Sequence, residues 1–248
     1  MADAAVQAPE APKSDNALSR IFGVLFSPKA TFESIARRPT WLLPVLLLTV
    51  LSLGVLGIFG QRGGWPAYLQ KQMAASSRFE QLPADQQQRA LEQTLKFAPR
   101  FAYCEVVIVI SSAIVIVSAV LFGVFNGLGG TKLKFKTSLG IVAHASMTGL
   151  VSGILGIVIV SLKDPGTIDL QNIVASNAGA FLASDAPKWL AALLGSLDIF
   201  SFWNMILLAI GFTTAAPKQL TTAKSLAWIF IMWLVYVVVK VGLTAAFA

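Results

Sequence analysis

One cysteine and one histidine are all that 248 residues offer to thiol or soft-metal chemistry. Cys104 alone excludes an intrachain disulfide. His144 has no second histidine, cysteine pair or neighbouring carboxylate in sequence, so no metal site is expected, and no cofactor. Charge is scarce as well: Asp, Glu, Lys and Arg make up 12% of the chain, against about a quarter in soluble proteins. The chain also lacks HExxH, GxSxG, a Walker-type glycine loop and CxxC. These absences point away from an enzyme. A pairing of His144 with Ser111 or Ser112 is the one catalytic alternative left, and serines serve packing throughout membrane helices.

What the chain has in excess is apolar sequence, 56% of its residues, with a mean hydropathy of +0.72. That is more apolar surface than a soluble core of this length can bury. The run LDIFSFWNMILLAIGF, about 197–212, is one of five stretches that suit lipid. The others lie at about 41–59, 103–128, 139–162 and 226–246. A helix satisfies its own backbone where no water is present, and about 20 apolar residues cross the hydrocarbon core. The expected fold is therefore all-α: a polytopic membrane protein, a bundle of five transmembrane helices with amphipathic interfacial helices. The net charge of +7 would suggest nucleic acid in a soluble protein. Here the positives flank apolar runs, which points to anionic headgroups instead. Membrane lipids are the expected partners, with membrane proteins or a second copy beside them, and no nucleic acid.

Residues 1–16 are Ala/Pro-rich and polar, and read as a disordered tail with no signal peptide. Residues 17–248 read as a single membrane domain. In ALSRIFGVLFSPKATFESIARR, apolar residues recur at helical spacing on both sides of Ser27-Pro28. Ser27 suits an N-cap and Pro28 the first helical position. The pattern predicts two short amphipathic helices lying in the headgroup plane. A helical hairpin is expected at about 65–98, its second arm opening at Pro83, resting on the outer surface. The loop between spans three and four, with Asp164, Asp169 and Asp185, alternates turn signals with short apolar pieces.

Orientation follows from lysines and arginines in short loops. Lys13, Arg20, Lys29, Arg37 and Arg38 precede the first span. Lys132, Lys134 and Lys136 follow the second, and Lys218 and Lys224 the fourth. These place the N-terminus in the cytoplasm and the C-terminus outside a cell inner membrane. Lys240, near the far end of span five, is expected to snorkel outward.

Five positions stand out as candidate intramembrane polar sites: Asn126, His144, Asp198, Trp203 and Asn204. Polar groups at membrane depth are costly, so each invites a functional reading. The structural reading sits beside it: His144 neutral and bonded to a neighbouring helix, and Asn204 bonded across to span two or three. Gly149 and Gly153 form a GxxxG pair that permits close helix approach, more in keeping with packing inside the bundle than with a dimer face.

FGVLFSPKATFESIARRPTWLLPVLLL resembles the opening of bacterial Yip-domain proteins, named for interaction with Ypt/Rab GTPases. LDIFSFWNMILLAIGF followed by TTAKSLAWI resembles that family's fourth span and final loop, and the likeness extends over roughly residues 18–247. The family often shows a tyrosine and a proline in span three, where this chain has His144 and Thr148. The resemblance implies a five-span helical fold with a cytoplasmic N-terminus. The short lead segment gives little surface for a GTPase, so the trafficking role of eukaryotic relatives is not carried over. The function expected is a non-enzymatic membrane protein organising lipid or membrane partners. The alternative is a small transporter or channel with a polar path between the spans.

Overall fold

The computed structural model describes residues 16–74, 77–183 and 186–247. Residues 1–15 of the expected tail, with Lys13, fall outside these, as do Asp185 and two residues of the expected hairpin. The described residues form helices without strands. These are α1 (Ala17–Phe26), α2 (Pro28–Arg37), α3 (Leu42–Gln61), α4 (Gly64–Ala74), α5 (Ser77–Glu80), α6 (Ala84–Gly127), α7 (Phe135–Ala145), α8 (Thr148–Leu162), α9 (Lys188–Ser196), α10 (Ile199–Ala215) and α11 (Thr222–Phe247). The chain is an all-α polytopic membrane protein. α3, α6, the pair α7–α8 and α11 are each long and apolar enough to cross a membrane. α10 has 17 residues and is mostly apolar, but is shorter than these four.

α1 and α2 are two helices because the backbone restarts at Ser27-Pro28. The Ser27 side chain makes no capping bond, contrary to expectation. Instead its carbonyl accepts from the Thr31 hydroxyl at 2.9 Å. α2 packs its apolar face on protein. It buries Phe32 and Ile35 fully against the end of the bundle and turns Lys29, Glu33 and Arg37 outward. α1 is apolar on two sides: Ile21 and Val24 are buried, while Leu18, Phe22 and Phe26 are exposed.

Two spans differ in form from the sequence reading. The second arm of the hairpin and span two are one helix, α6, of 44 residues. The anticipated boundary near residue 100 is absent because Pro99 is absorbed inside the helix; the only rung it deletes is its own N–H bond. α4 folds back onto this helix through Gly63, whose φ of 74° suits a residue without Cβ. The packing joins Trp65 and Leu69 to Leu91 and Leu95. Span three, by contrast, is broken at Ser146–Met147. The His144 ring donates from Nδ1 to Gly140 O at 2.8 Å, and the Ser146 hydroxyl donates to Val142 O at 2.9 Å. Side chains that return to the preceding turn compete for its carbonyls and bend helices. The backbone tightens accordingly, with Met147 N donating to His144 O and Gly149 N to Ser146 O.

The glycines of α8 meet α3. A Cβ at Gly149 would touch Leu48 at 3.0 Å, and one at Gly153 would collide with the Leu51 side chain. The GxxxG pair is thus spent on packing inside the bundle. At the far end of the same two helices Arg62 reaches across, donating from Nη1 to Val160 O at 2.5 Å and to Lys163 O at 2.6 Å. It satisfies carbonyls that the end of α8 leaves open. Arg62→Met keeps the apolar stem and removes the donors, so it is expected to cost about 2 kcal/mol, measurable as a fall in the unfolding midpoint in detergent.

The main core lies where α10 meets α2, α6 and α7. Phe125 and Phe212 stack there with ring centroids 4.2 Å apart and planes 14° from parallel. Phe32, Ile141 and Leu208 fill the space around them.

Candidate functional site

In the transporter or channel alternative the polar residues of the bundle define one path. The structure divides them instead among two cavities, a loop and the core. The first cavity, about 610 Å³, lies between α3, α8 and the start of α10, under the segment joining α8 to α9. Ser52, Ser152, Asn172, Asn177 and Asp198 supply its polar wall. The second, about 550 Å³, runs between α6, α10 and α11 and is mostly apolar, with Asn204 among Met205, Leu208, Ile229 and Trp233. Ser146 and Ser201 line both, so the two spaces adjoin across these residues.

Asp198 is built into the wall by its own local geometry. It caps α10, its Oδ1 accepting from Ser201 N at 2.9 Å, and its Oδ2 accepts from the Ser176 hydroxyl. The extended residues on either side pair: Ala178 N donates to Leu197 O at 3.3 Å and Ile199 N to Ser176 O at 3.2 Å. This short pairing holds the loop in place over the first cavity. Asn177 Nδ2 donates to Asn172 Oδ1 at 2.8 Å. Asn177 Oδ1 is enclosed and has no donor among the described residues.

Asn204 stands differently from its expected role. It bonds neither to α6 nor to α7–α8, and its amide faces the second cavity without a hydrogen bond among the described residues. Neighbouring Trp203 is half-buried against the main core.

Asn126 and His144 line neither cavity. Asn126 is a clamp for the lysine-bearing corner: Nδ2 donates to Leu133 O at 3.0 Å, and Oδ1 accepts from Leu133 N at 3.0 Å and from the Thr131 hydroxyl at 2.5 Å. His144 is fully buried and bonds within its own helix rather than to a neighbouring one. Lys240 also departs from the expected outward reach. Its ammonium turns to the Ser196 hydroxyl at 3.1 Å, tying α11 to α9.

Residues missed by the sequence reading are Ser146, Ser176, Asn172, Asn177 and Ser201. Their signal was present in QNIVASN and in the Asp198–Ser201 spacing, which matches an N-cap and its third helical residue. It read only as turn chemistry because the loop's return to the start of α10 is a long-range pairing. Among the described residues no group of three or more His, Cys, Asp or Glu could hold a metal ion.

Several long apolar helices, closely packed through glycines and enclosing a polar chamber beside an apolar groove, define a multi-pass α-helical membrane protein. The Yip1 domain model matches residues 22–244, nearly the whole chain, and the protein belongs to that family. No curated protein and no solved structure matches it.

Proposed function

We propose that this protein is a non-enzymatic member of its family that organises lipid, and membrane proteins with it, in a cell inner membrane crossed five times. The observation that carries the reading is α1. Its inner side is locked into the core through Ile21 and Val24, while Leu18, Phe22 and Phe26 are 59%, 57% and 81% exposed. Apolar rings fixed on a rigid bundle at the end of a span are suited to enter the boundary between headgroups and acyl chains. The same end of the bundle carries Arg37 and Arg38 before α3, Lys132, Lys134 and Lys136 around the start of α7, and Lys218 and Lys224 around the start of α11. That shared end supports a cytoplasmic N-terminus and an outside C-terminus.

Reconstitution into vesicles of mixed lipid composition tests the reading. The protein is expected to deform or sort lipid, read as vesicle shape by electron cryomicroscopy and as redistribution of labelled lipids. Phe22→Ser with Phe26→Ser is expected to reduce the effect at least about twofold, since each ring removed withdraws about 2 kcal/mol of buried apolar surface. A protein that neither bends nor sorts lipid, and that co-purifies with no membrane partner, refutes it. The transporter or channel alternative draws support from the open polar chamber at Asp198 and from the free amide of Asn204. Solute flux in sealed liposomes that Asn204→Ala abolishes would favour that alternative.

A further inference from the structure

We propose that the two adjoining cavities form one binding site for a single amine-headgroup glycerolipid, its ammonium at Asp198 and an acyl chain in the groove between α6 and α11. This deepens the lipid-organising reading above and rests on it.

The order of chemistry along the site carries the proposal. At one end Asp198 is the only formally charged residue lining either cavity among the described residues, and no lysine, arginine or histidine lines them. No ion pair neutralises it among the described residues. Its two existing hydrogen bonds, to Ser201 N and the Ser176 hydroxyl, leave a further lone pair on each oxygen. The enclosed Asn177 Oδ1, on the residue paired with Asp198, adds negative partial charge there with no donor to offset it. This end offers negative charge and asks for a hydrogen-bonding cation, which an ammonium supplies. A headgroup without a cation would leave the Asp198 carboxylate unpaired.

The middle is neutral and polar. The Ser201 hydroxyl and the Asn204 amide make no hydrogen bond among the described residues, and Ser201 lines both cavities while Asn204 lines the second, one turn further along α10. Free donors at membrane depth carry an energetic cost, and ester carbonyls of a glycerolipid are the acceptors found at that depth. Beyond Asn204 the wall becomes apolar, with Val117, Val120, Leu208, Ile229 and Trp233. A chain of methylenes needs only such a surface. In the proposed ligand a phosphodiester links the cation to the glycerol esters, and the Ser52 hydroxyl and Gln171 amide of the first cavity, which make no hydrogen bond among the described residues, are the neutral donors it would meet. Cation, phosphodiester, ester and hydrocarbon then follow the walls from Asp198 to the middle of α10.

The test is native mass spectrometry of the full-length protein, extracted from vesicles equimolar in phosphatidylethanolamine and phosphatidylglycerol. One bound lipid per chain is expected, with the ethanolamine lipid favoured about tenfold, the worth of one charge-assisted hydrogen bond. Asp198→Asn keeps the N-cap acceptor for Ser201 N, reverses the Ser176 bond so that the amide donates to the hydroxyl, and removes the charge, so it should erase the preference while moving the thermal midpoint by no more than about 3 °C. Asn204→Leu breaks no bond to the rest of the protein and should lower retention of both lipids about threefold, with the preference intact. Free glycerophosphoethanolamine, which has the headgroup and no chains, should not displace the lipid at equal concentration. Equal retention of the two lipids by the unaltered protein, an unchanged preference in Asp198→Asn, unchanged retention in Asn204→Leu, or displacement by the free headgroup would each overturn the proposal. Failure here leaves the vesicle-shape result with Phe22 and Phe26 untouched, and failure there leaves this selectivity untouched, so the two can be told apart.

Discussion

Phe212→Ala is expected to lower the thermal midpoint of the detergent-solubilised protein by about 10 °C, at about 3 °C per kcal/mol for a chain of this size. The ring is fully buried and stacks on Phe125, itself in contact with Trp228 at 5.6 Å between centroids. Truncating a buried phenylalanine costs about 3–5 kcal/mol. The lower end applies here, because inside a bilayer the loss is contact and cavity rather than transfer from water. Three elements lose a common neighbour at once, since α6, α10 and α11 all reach this stack. Phe22→Ala removes the same number of atoms from an exposed site on α1 and serves as the control. Its midpoint should move by less than about 2 °C, as exposed substitutions are worth about half a kcal/mol or less. Equal shifts from the two variants would mean that the stack is not a centre of stability.

The second large effect is expected from Asn126→Leu, a change close to isosteric that removes three hydrogen bonds to the corner between α6 and α7. Each buried polar group left without a partner costs about 1–3 kcal/mol. Water at the corner recovers part of this, so about 3 kcal/mol is expected, with accelerated proteolysis at Lys132 and Lys134. Asn126→Asp keeps the acceptor for Thr131 and Leu133 N and loses only the donation to Leu133 O, so it should recover roughly half of the loss. An unchanged midpoint and cleavage rate in Asn126→Leu would show that the corner is held by Gly130, with its φ of 62°, and the chain alone.

Asn126 also shows how far the sequence could be read. Its depth near a span end was legible, and so was its polarity, which by itself suggested a path for solute. Its partners, five and seven residues ahead, depend on how the corner turns, and hydropathy is silent about that. The helical, lipid-spanning character of the chain was legible because bilayer thickness imposes a length and composition on any helix that crosses it. The boundaries were less so. The hairpin and span two were expected as separate elements, ending at about 98 and starting at about 103, yet run on as α6, while Ser146, unremarkable by propensity, marks a real break because its hydroxyl and the imidazole two residues earlier both return to the turn before. The chamber itself was hidden for a different reason: Ser176 and Asp198 are 22 positions apart, and only the short pairing of extended backbone brings them together.

The unbroken course of α6 has a consequence for what can approach this protein. Forty-four residues at about 1.5 Å each give a rod of about 66 Å, roughly twice the hydrocarbon thickness of a bilayer. Even a steep inclination leaves a surplus of about 20 Å beyond the oily layer. A soluble molecule arriving from that side therefore meets a mast braced by α4 before it meets any headgroup. The height at which it is stopped is fixed by counting residues along a single helix.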